Sequence, residues 1–311
     1  MLTVADTKTF REYFPTDPHP FVSPQFIALN SRKTDEVVYL TGAENDIVIG
    51  IVAGIKDKTL LSPFSAPFGG FHFRRENVYI GDIDRFLNSL KEYIIKRELD
   101  RIEIIIPPDL YHPSFNAKTI NSLFRSGFRS SLPEITNWVD LECFNGIFSQ
   151  KNSREYYRQA ERNRLSFGLA ENEEDKRRIY ELICENRARF GRSIFMTIND
   201  ILEIEDLWPV DFFKILTPGR ELVASGIFYR FHPRVCYAVF WGDNETGRPL
   251  RAMDFLSLNI WKYYKEKGYR YIDLGISTES GNPNEGLLRF KETHEAISSL
   301  RRKFTWSPEL A

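Results

Sequence analysis

One pattern in this chain occurs twice, and it limits the possible folds more than any other feature. FLNSLKEYIIKRELDRIEIII (86–106) parallels FLSLNIWKYYKEKGYRYIDLGI (255–276). Each copy is an amphipathic helix, a polar turn and a strand with one acidic residue, Glu103 or Asp273. Each then runs through a Pro-containing loop to a short helix, SLFRSGF (122–128) against GLLRFKE (286–292). Helix followed by strand is common. Two matches in the same order, roughly 165–170 residues apart, predict an internal duplication. The chain is therefore expected to be α/β (α+β) and to divide into halves at 1–150 and 151–311.

The Pro- and Phe-rich opening of about 35 residues predicts an irregular lead-in. Strands are expected at 36–40, 47–55 and 59–62, followed by a loop over 62–71 with two prolines and two glycines. Ile83, Phe86, Leu87, Leu90 and Ile94 share one face of a helix over 82–99, with Asp82 as its N-cap. A strand at 101–106 stops at Pro107-Pro108, a helix at 117–126 ends at Gly127, and 135–142 reads as the strand that closes the first half. Segment 151–164 carries Lys151, Arg154, Arg158, Arg162 and Arg164 and predicts a connecting helix. The second half should hold strands at 166–170, 211–217, 222–231, 235–241, 271–276 and 296–306. Its helices are expected at 173–190, 198–205, 249–267 and 284–294, with Pro249 opening the third and Gly268 just past its end.

Bulk properties remove several classes of function. With 42 basic and 43 acidic residues, no global charge draws the chain to DNA. A 42% hydrophobic, 14% aromatic composition can fill a core. The longest apolar run, 47–55, is too short for a membrane-spanning helix, so no membrane span is expected. MLTVADTKTF has no basic stretch ahead of an apolar one, which argues against a secretory signal. Cys143, Cys184 and Cys236 are odd in number and far apart, so a reducing cytoplasm is the expected location. His19, His72, His112, His232 and His294 are scattered, and no metal, P-loop or Ser/His/Asp arrangement is predicted.

Several residues can carry chemistry. The turn 242–249 joins a strand to a helix, where free backbone N–H groups and the helix dipole favour anions. Arg248 and Arg251 add charge there, and a pyrophosphate, as in coenzyme A, would suit it. The same residues also read as a plain loop with solvated arginines. Asp273 stands near a strand end before Gly275, as a cleft carboxylate or a turn cap. Glu285 precedes a short helix, as a proton relay or a partner of its dipole. Tyr237 either orients substrate or packs in its strand, and His294 is a base or incidental. The 62–70 loop, with Ser65, Phe68 and Gly69, either lines an acceptor pocket or merely connects strands.

Residues 237–295 resemble the C-terminal half of the Fem-type and related GNAT-fold acyltransferases. In that group a helix leads to a G-x-x-x-x-D-x-G strand end, here Gly268, Asp273 and Gly275, and later to G-L-x-x-F-K, here Gly286, Leu287, Phe290 and Lys291. The segment around Arg158, Arg162 and Asn163 is similar to the link between the tandem halves of that group. The resemblance implies two tandem GNAT-like halves, each a mixed, mostly antiparallel sheet flanked by helices, with the active cleft mainly in the second. It implies acyl transfer to the amine of a small molecule, amino sugar or peptide, with no permanently bound cofactor. The donor in the wider superfamily is acyl-CoA (acetyl-CoA); in Fem ligases it is aminoacyl-tRNA acting on a peptidoglycan precursor. The stretch Arg248 to Met253 departs from the usual CoA loop in having no glycine. On this reading Asp273 or Glu285 relays the proton and Tyr237 orients the substrate. Lys291, beside Phe290, holds anionic groups with Arg248 and Arg251. The alternatives are a Fem-like ligase using tRNA, supported by basic residues 154–164, and a silent ligand-binding module of the same fold.

Overall fold

A computed structural model describes residues 2–42, 48–75 and 77–310. The elements in the first part of the chain are β1 (Leu2–Ala5), α1 (Thr7–Tyr13), α2 (Pro24–Asn30), β2 (Glu36–Gly42), β3 (Ile49–Lys56), β4 (Thr59–Ser62), β5 (Phe71–Phe73), α3 (Ile80–Lys96), β6 (Arg101–Ile105), α4 (Pro113–Arg125), β7 (Arg129–Ser130) and β8 (Glu134–Asp140). They are followed by α5 (Lys151–Arg162), β9 (Ser166–Leu169), α6 (Glu173–Arg189), α7 (Ile198–Ile204), β10 (Val210–Leu216), β11 (Leu222–Tyr229), β12 (Val235–Asp243) and α8 (Ala252–Glu266). The chain ends with β13 (Tyr271–Ile276), β14 (Thr278–Glu279), β15 (Asn282–Pro283), α9 (Glu285–Thr293), β16 (Ala296–Arg301) and β17 (Lys303–Trp306). Ile47, the first residue of the apolar run, lies outside the described residues.

The chain forms two compact units. Unit 1 is built from the described parts of 1–135, 278–282 and 299–311, and unit 2 from 136–277 and 283–298. In unit 1 the strand order is β1-β2-β3-β4-β6-β17-β7, with β5 beside β3. β4 and β6 are parallel there, and the other pairings are antiparallel. The sheet of unit 2 runs β16-β8-β13-β12-β11-β10-β9, with β12 and β13 parallel. Each sheet buries the apolar stripe of its own long helix. In unit 1, Leu87, Leu90 and Ile94 of α3 meet Ile102 and Ile104 of β6. In unit 2, Leu256, Ile260 and Trp261 of α8 meet Cys236 and Ile272. This is the mixed, mostly antiparallel architecture expected of each half.

The closing strands are exchanged. β8 follows the first copy's short helix but pairs with β13, from Tyr271↔Asp140 to Ile276↔Thr136. β17 follows the second copy's short helix but pairs with β6, from Lys303↔Ile105 to Trp306↔Ile102. The units therefore divide near 135, with C-terminal residues 299–311 in unit 1, and not at 150/151. Alternation of apolar residues identifies a strand but does not name its partner, and β6 and β13 offer equivalent edges.

The lead-in is ordered rather than irregular. Asp6 caps α1 by accepting from Thr9 N at 2.7 Å, and Ser23 caps α2 by accepting from Phe26 N at 3.3 Å. Helices of seven residues are too short to show a period. α3 starts at Ile80 with Tyr79 as N-cap, which leaves Asp82 in its first turn. α8 starts at Ala252, three residues after Pro249, because Arg251 holds a left-handed φ of 63°. No helix among the described residues is long and apolar enough to cross a membrane.

Candidate functional site

In unit 2 the parallel strands part company early. They are in register at Val235↔Tyr271, Cys236↔Ile272 and Tyr237↔Asp273, and β12 then continues to Asp243 beside β11. Both strands are bulged at this point. On β12, Ile227↔Phe240 and Phe228↔Ala238 leave Val239 as an extra residue. On β13 the register jumps between Asp273↔Trp138 and Ile276↔Thr136. Gly275 sits in the second bulge with φ 66°, and the place a Cβ would take lies 3.6 Å from the Tyr237 hydroxyl. A bulge turns backbone groups out of the ladder, which is how a sheet aims polar atoms at something other than its neighbouring strand.

Lys291 of α9 fills the β13 bulge. It is 1% exposed, and its Nζ donates to the carbonyls of Leu274 (2.8 Å), Gly275 (2.9 Å) and Ile276 (2.9 Å). Asp273, fully buried, accepts from Gly275 N–H at 2.9 Å. Burial pulls the Lys291 pKa down to about 7, with Asp273 opposing and the Arg187 guanidinium assisting. Asp273 and Lys291 thus share one buried locus. The expected role of Lys291 as a holder of anionic groups does not match its geometry, since three carbonyls already take its three hydrogens.

The neighbouring aromatic residues are packed. Phe290 stacks on His294 (4.0 Å between centroids) and meets Trp241 edge-on (5.7 Å). His294 Nε2 faces Asp254 Oδ1 at 3.0 Å and Nδ1 faces the Phe290 carbonyl at 2.6 Å. These contacts tie His294 between α9 and α8. Glu285 is exposed in the first turn of α9, where Asn284 supplies the cap by accepting from Leu287 N. It lies six positions before Lys291 on the same helix, about 9 Å along the axis.

The turn before α8 uses up its own donors. Gly247 N–H bonds Asn244 Oδ1, Arg248 N–H bonds the Asn244 carbonyl, Arg251 N–H the Arg248 carbonyl and Ala252 N–H the Gly247 carbonyl. Gly247 lies so close to Val223 that an added Cβ would be 2.2 Å from its carbonyl oxygen. Arg248 is 4.0 Å from Asp243, and Arg251 lies on the Tyr156 ring at 3.8 Å. Burial raises the Asp243 pKa while Arg248 and Arg189 draw it back down. The expected pyrophosphate cradle therefore lacks these four backbone amides and has a carboxylate beside its arginines. Helix α5 docks here as well, with Gln159 donating to the Pro249 carbonyl (3.4 Å) and Asn163 to that of Leu250 (3.3 Å).

The 62–70 loop belongs to unit 1. Ser65 Oγ donates to Asn30 Oδ1 at 2.9 Å and accepts from Lys33 Nζ at 3.1 Å. Phe68 is 1% exposed among His19, Phe21 and Tyr111. Gly69 N–H bonds the Ile105 carbonyl at 2.9 Å. Phe68 and Gly69 thus pack the loop onto its own sheet, against the expectation that they line an acceptor pocket. Among the described residues no His, Cys, Asp or Glu cluster has the geometry of a metal site.

Two features of unit 2 escaped the sequence reading. Val239 and its bulge lie in an unbroken apolar strand, and Arg187 looks like one more charge on the strongly charged α6. A strand-to-helix periodicity carries no signal for either.

No sequence-family model matches the chain, and no curated protein sequence does. Solved structures do. FemX aligns over 99% of this chain and 97% of its own, with a TM-score of 0.69 at 11% identity. A tandem GNAT protein from the clavulanic acid biosynthesis pathway aligns over 99% and 98%, with 0.56 at 11% identity. The structure of L-PGS from Bacillus licheniformis aligns over 93% of each chain, with 0.58 at 13% identity. The fold is accordingly the tandem GNAT-like arrangement shared with FemX.

Proposed function

We propose that unit 2 transfers an acyl group from an activated ester or thioester to an amine, at the point where β12 and β13 separate. The observation that carries this reading is the paired bulge after Tyr237 and Asp273, with Lys291 locked into it. In the reaction the amine nitrogen bonds to the acyl carbon and the bond from that carbon to the carrier oxygen or sulfur breaks. The amine proton passes to Asp273 or to water, and the leaving group takes up a proton, with the Tyr237 hydroxyl as a candidate donor. Backbone N–H at the Val239 bulge is the candidate partner for oxygen charge that develops in the transition state. The Lys291 side chain, bonded to three consecutive carbonyls, keeps the opposite wall of the gap in shape.

Two carriers compete. A CoA thioester is the default for the GNAT fold, yet four amides of the α8 turn are bonded internally. A specific observation favours an RNA ester: α5, with exposed Arg158 and Arg162, is docked along that same turn. The donor is thus proposed to be an aminoacyl-tRNA, with acyl-CoA second and acceptors among amino-sugar, peptide or small-molecule amines. Single-turnover assays with a mixed charged-tRNA pool and with acetyl-CoA and longer acyl-CoAs decide between them. Transfer from tRNA with affinity falling steeply between low and moderate salt is the expected result. Transfer from acyl-CoA alone reverses the choice of carrier. Binding with no turnover from any donor defeats the enzymatic reading and leaves a ligand-binding module.

A further inference from the structure

The point where β12 and β13 separate is one step of a longer row. Tyr229 of β11 pairs with Tyr237, Tyr237 with Asp273, and Asp273 with Trp138 of β8. Residues directly opposite each other in a sheet put their side chains on the same face. At about 4.8 Å per strand, the row spans about 14 Å. Its two ends share a property. The Tyr229 hydroxyl and the Trp138 Nε1–H are shut off from solvent, and neither has a hydrogen-bond partner among the described residues. Tyr229 is 3% exposed, and burial raises its pKa, so the phenol keeps its proton. Its ring meets Trp208 edge-on at 5.8 Å, Trp208 meets Phe231 at 5.8 Å and Phe231 meets Tyr237 at 5.9 Å. Trp138 meets Tyr271 edge-on at 5.2 Å. These ring contacts leave both donors unmatched, which is costly in a buried setting. The equivalent row of unit 1 is Gly54, Leu61, Glu103 and Thr305. It carries no aromatic residue, so the duplicated framework as such does not call for a phenol and an indole at these steps.

We infer that this row is the floor of an acceptor subsite in unit 2, where the Tyr229 hydroxyl and the Trp138 Nε1–H bond neutral oxygens of an extended acceptor whose amine lies at Asp273. An indole N–H only donates, so the group it meets is an oxygen acceptor, a peptide carbonyl or a sugar hydroxyl. A row of about 14 Å matches about four residues of extended chain. A single small amine does not reach both ends. The site therefore selects an oligomeric peptide or amino sugar over a free amino acid or a simple amine. Both donors are covered without ligand, so side chains around them move as the acceptor enters, and association is slower than diffusion allows. The subsite deepens the acyl-transfer reading and rests on it for placing the amine at Asp273, though not for the binding of oxygens at the two ends.

The test uses the full, isotope-labelled chain and three probes: tetraalanine, a glucosamine trisaccharide and n-butylamine, which offers an amine without oxygens. The Trp138 indole resonance, assigned from its loss in Trp138→Phe, is followed by NMR through each titration. The expected result is a saturable shift with tetraalanine or the trisaccharide, and the one that saturates at the lower concentration identifies the oxygens as peptide or sugar. Tyr229→Phe should weaken that binding about fivefold, the contribution of one uncharged hydrogen bond. It should also leave the melting temperature without ligand at or above that of the wild type, because only an unmatched hydroxyl is lost. A lower melting temperature with unchanged affinity assigns the hydroxyl a structural role and overturns the subsite. So does saturation by n-butylamine at the same concentration as the oligomers, or no saturable shift with either oligomer. If Trp138→Phe does not fold, the affinities of wild type and Tyr229→Phe, read by calorimetry, decide. Saturable binding without acyl transfer from any donor defeats the transferase reading alone. Transfer to either oligomer with a KM that Tyr229→Phe leaves unchanged defeats the subsite alone.

Discussion

Lys291→Met is the most informative perturbation, because two physical effects on this lysine oppose each other. Three carbonyl acceptors at 2.8, 2.9 and 2.9 Å favour the ammonium, while burial favours the neutral amine and brings the pKa to about 7 from an ordinary 10.5. If burial wins, folded and unfolded chains hold the same number of protons on this residue below pH 7. Between 7 and 10.5 the unfolded chain holds one more, so stability rises with pH across that window. At about 1.4 kcal/mol per pH unit, the gain amounts to about 5 kcal/mol at the upper end. Methionine has similar length and no charge. It leaves carbonyls short of a donor, at roughly 1–3 kcal/mol each, but this penalty does not vary with pH. Urea denaturation of both proteins from below neutrality to mildly alkaline pH isolates the effect, because other titrating groups cancel in the difference. The wild-type advantage is expected to grow by up to about 1.4 kcal/mol for each pH unit above 7. A difference that stays flat with pH would falsify the account: the carbonyls would then be cancelling burial, and Lys291 would be a permanent cation.

Three further substitutions probe the backbone of unit 2. Gly275→Ala places a Cβ on a residue with φ 66° and should lower stability by about 1–2 kcal/mol in denaturant melts; no loss would mean that the β13 bulge relaxes freely. Gly247→Ala puts a Cβ 2.2 Å from the Val223 carbonyl oxygen, so the turn before α8 must move, at about 2 kcal/mol or more. An unchanged melting temperature would show that this turn is looser than its hydrogen bonds imply. Thr197 and Asp200 form a reciprocal capping box at the start of α7, so Thr197→Ala should cost about 1 kcal/mol. Equal stability in thermal melts would mean that α7 is held by Ile201 and Ile204 alone.

The duplicated helix-to-strand unit was readable from sequence because each copy buries one stripe of a long helix and then one face of a strand, and burial of that kind leaves a period. Asp273 and Lys291 were readable for different reasons: Asp273 stands near a strand end before Gly275, and Lys291 stood out only through the resemblance of its G-L-x-x-F-K string to the Fem-type group. The exchange of β8 and β17 left no trace, since pairing depends on which edge lies nearby and not on the residues of the strand.

The two copies also differ in a way that supports the proposed placement of the chemistry in unit 2. Glu103 and Asp273 occupy the same step in their parallel pairs, opposite Leu61 on β4 and Tyr237 on β12. Glu103 is committed to ion pairs with Arg101 at 3.1 Å and Lys303 at 2.6 Å, and its side chain is 19% exposed. Such pairs at a surface contribute little and do little besides. Asp273 is fully buried close to Lys291, at the last step before the two strands separate. Keeping a carboxylate there is costly for stability, and unit 1, on the same framework, does without it. The same step of the framework is occupied in unit 1 by a partly exposed, ion-paired Glu103, so the fold as such does not require a buried carboxylate there. Asp273→Asn should therefore abolish acyl transfer while leaving thermal stability near or above wild type, and loss of folding with no effect on turnover in the residual native protein would count against it.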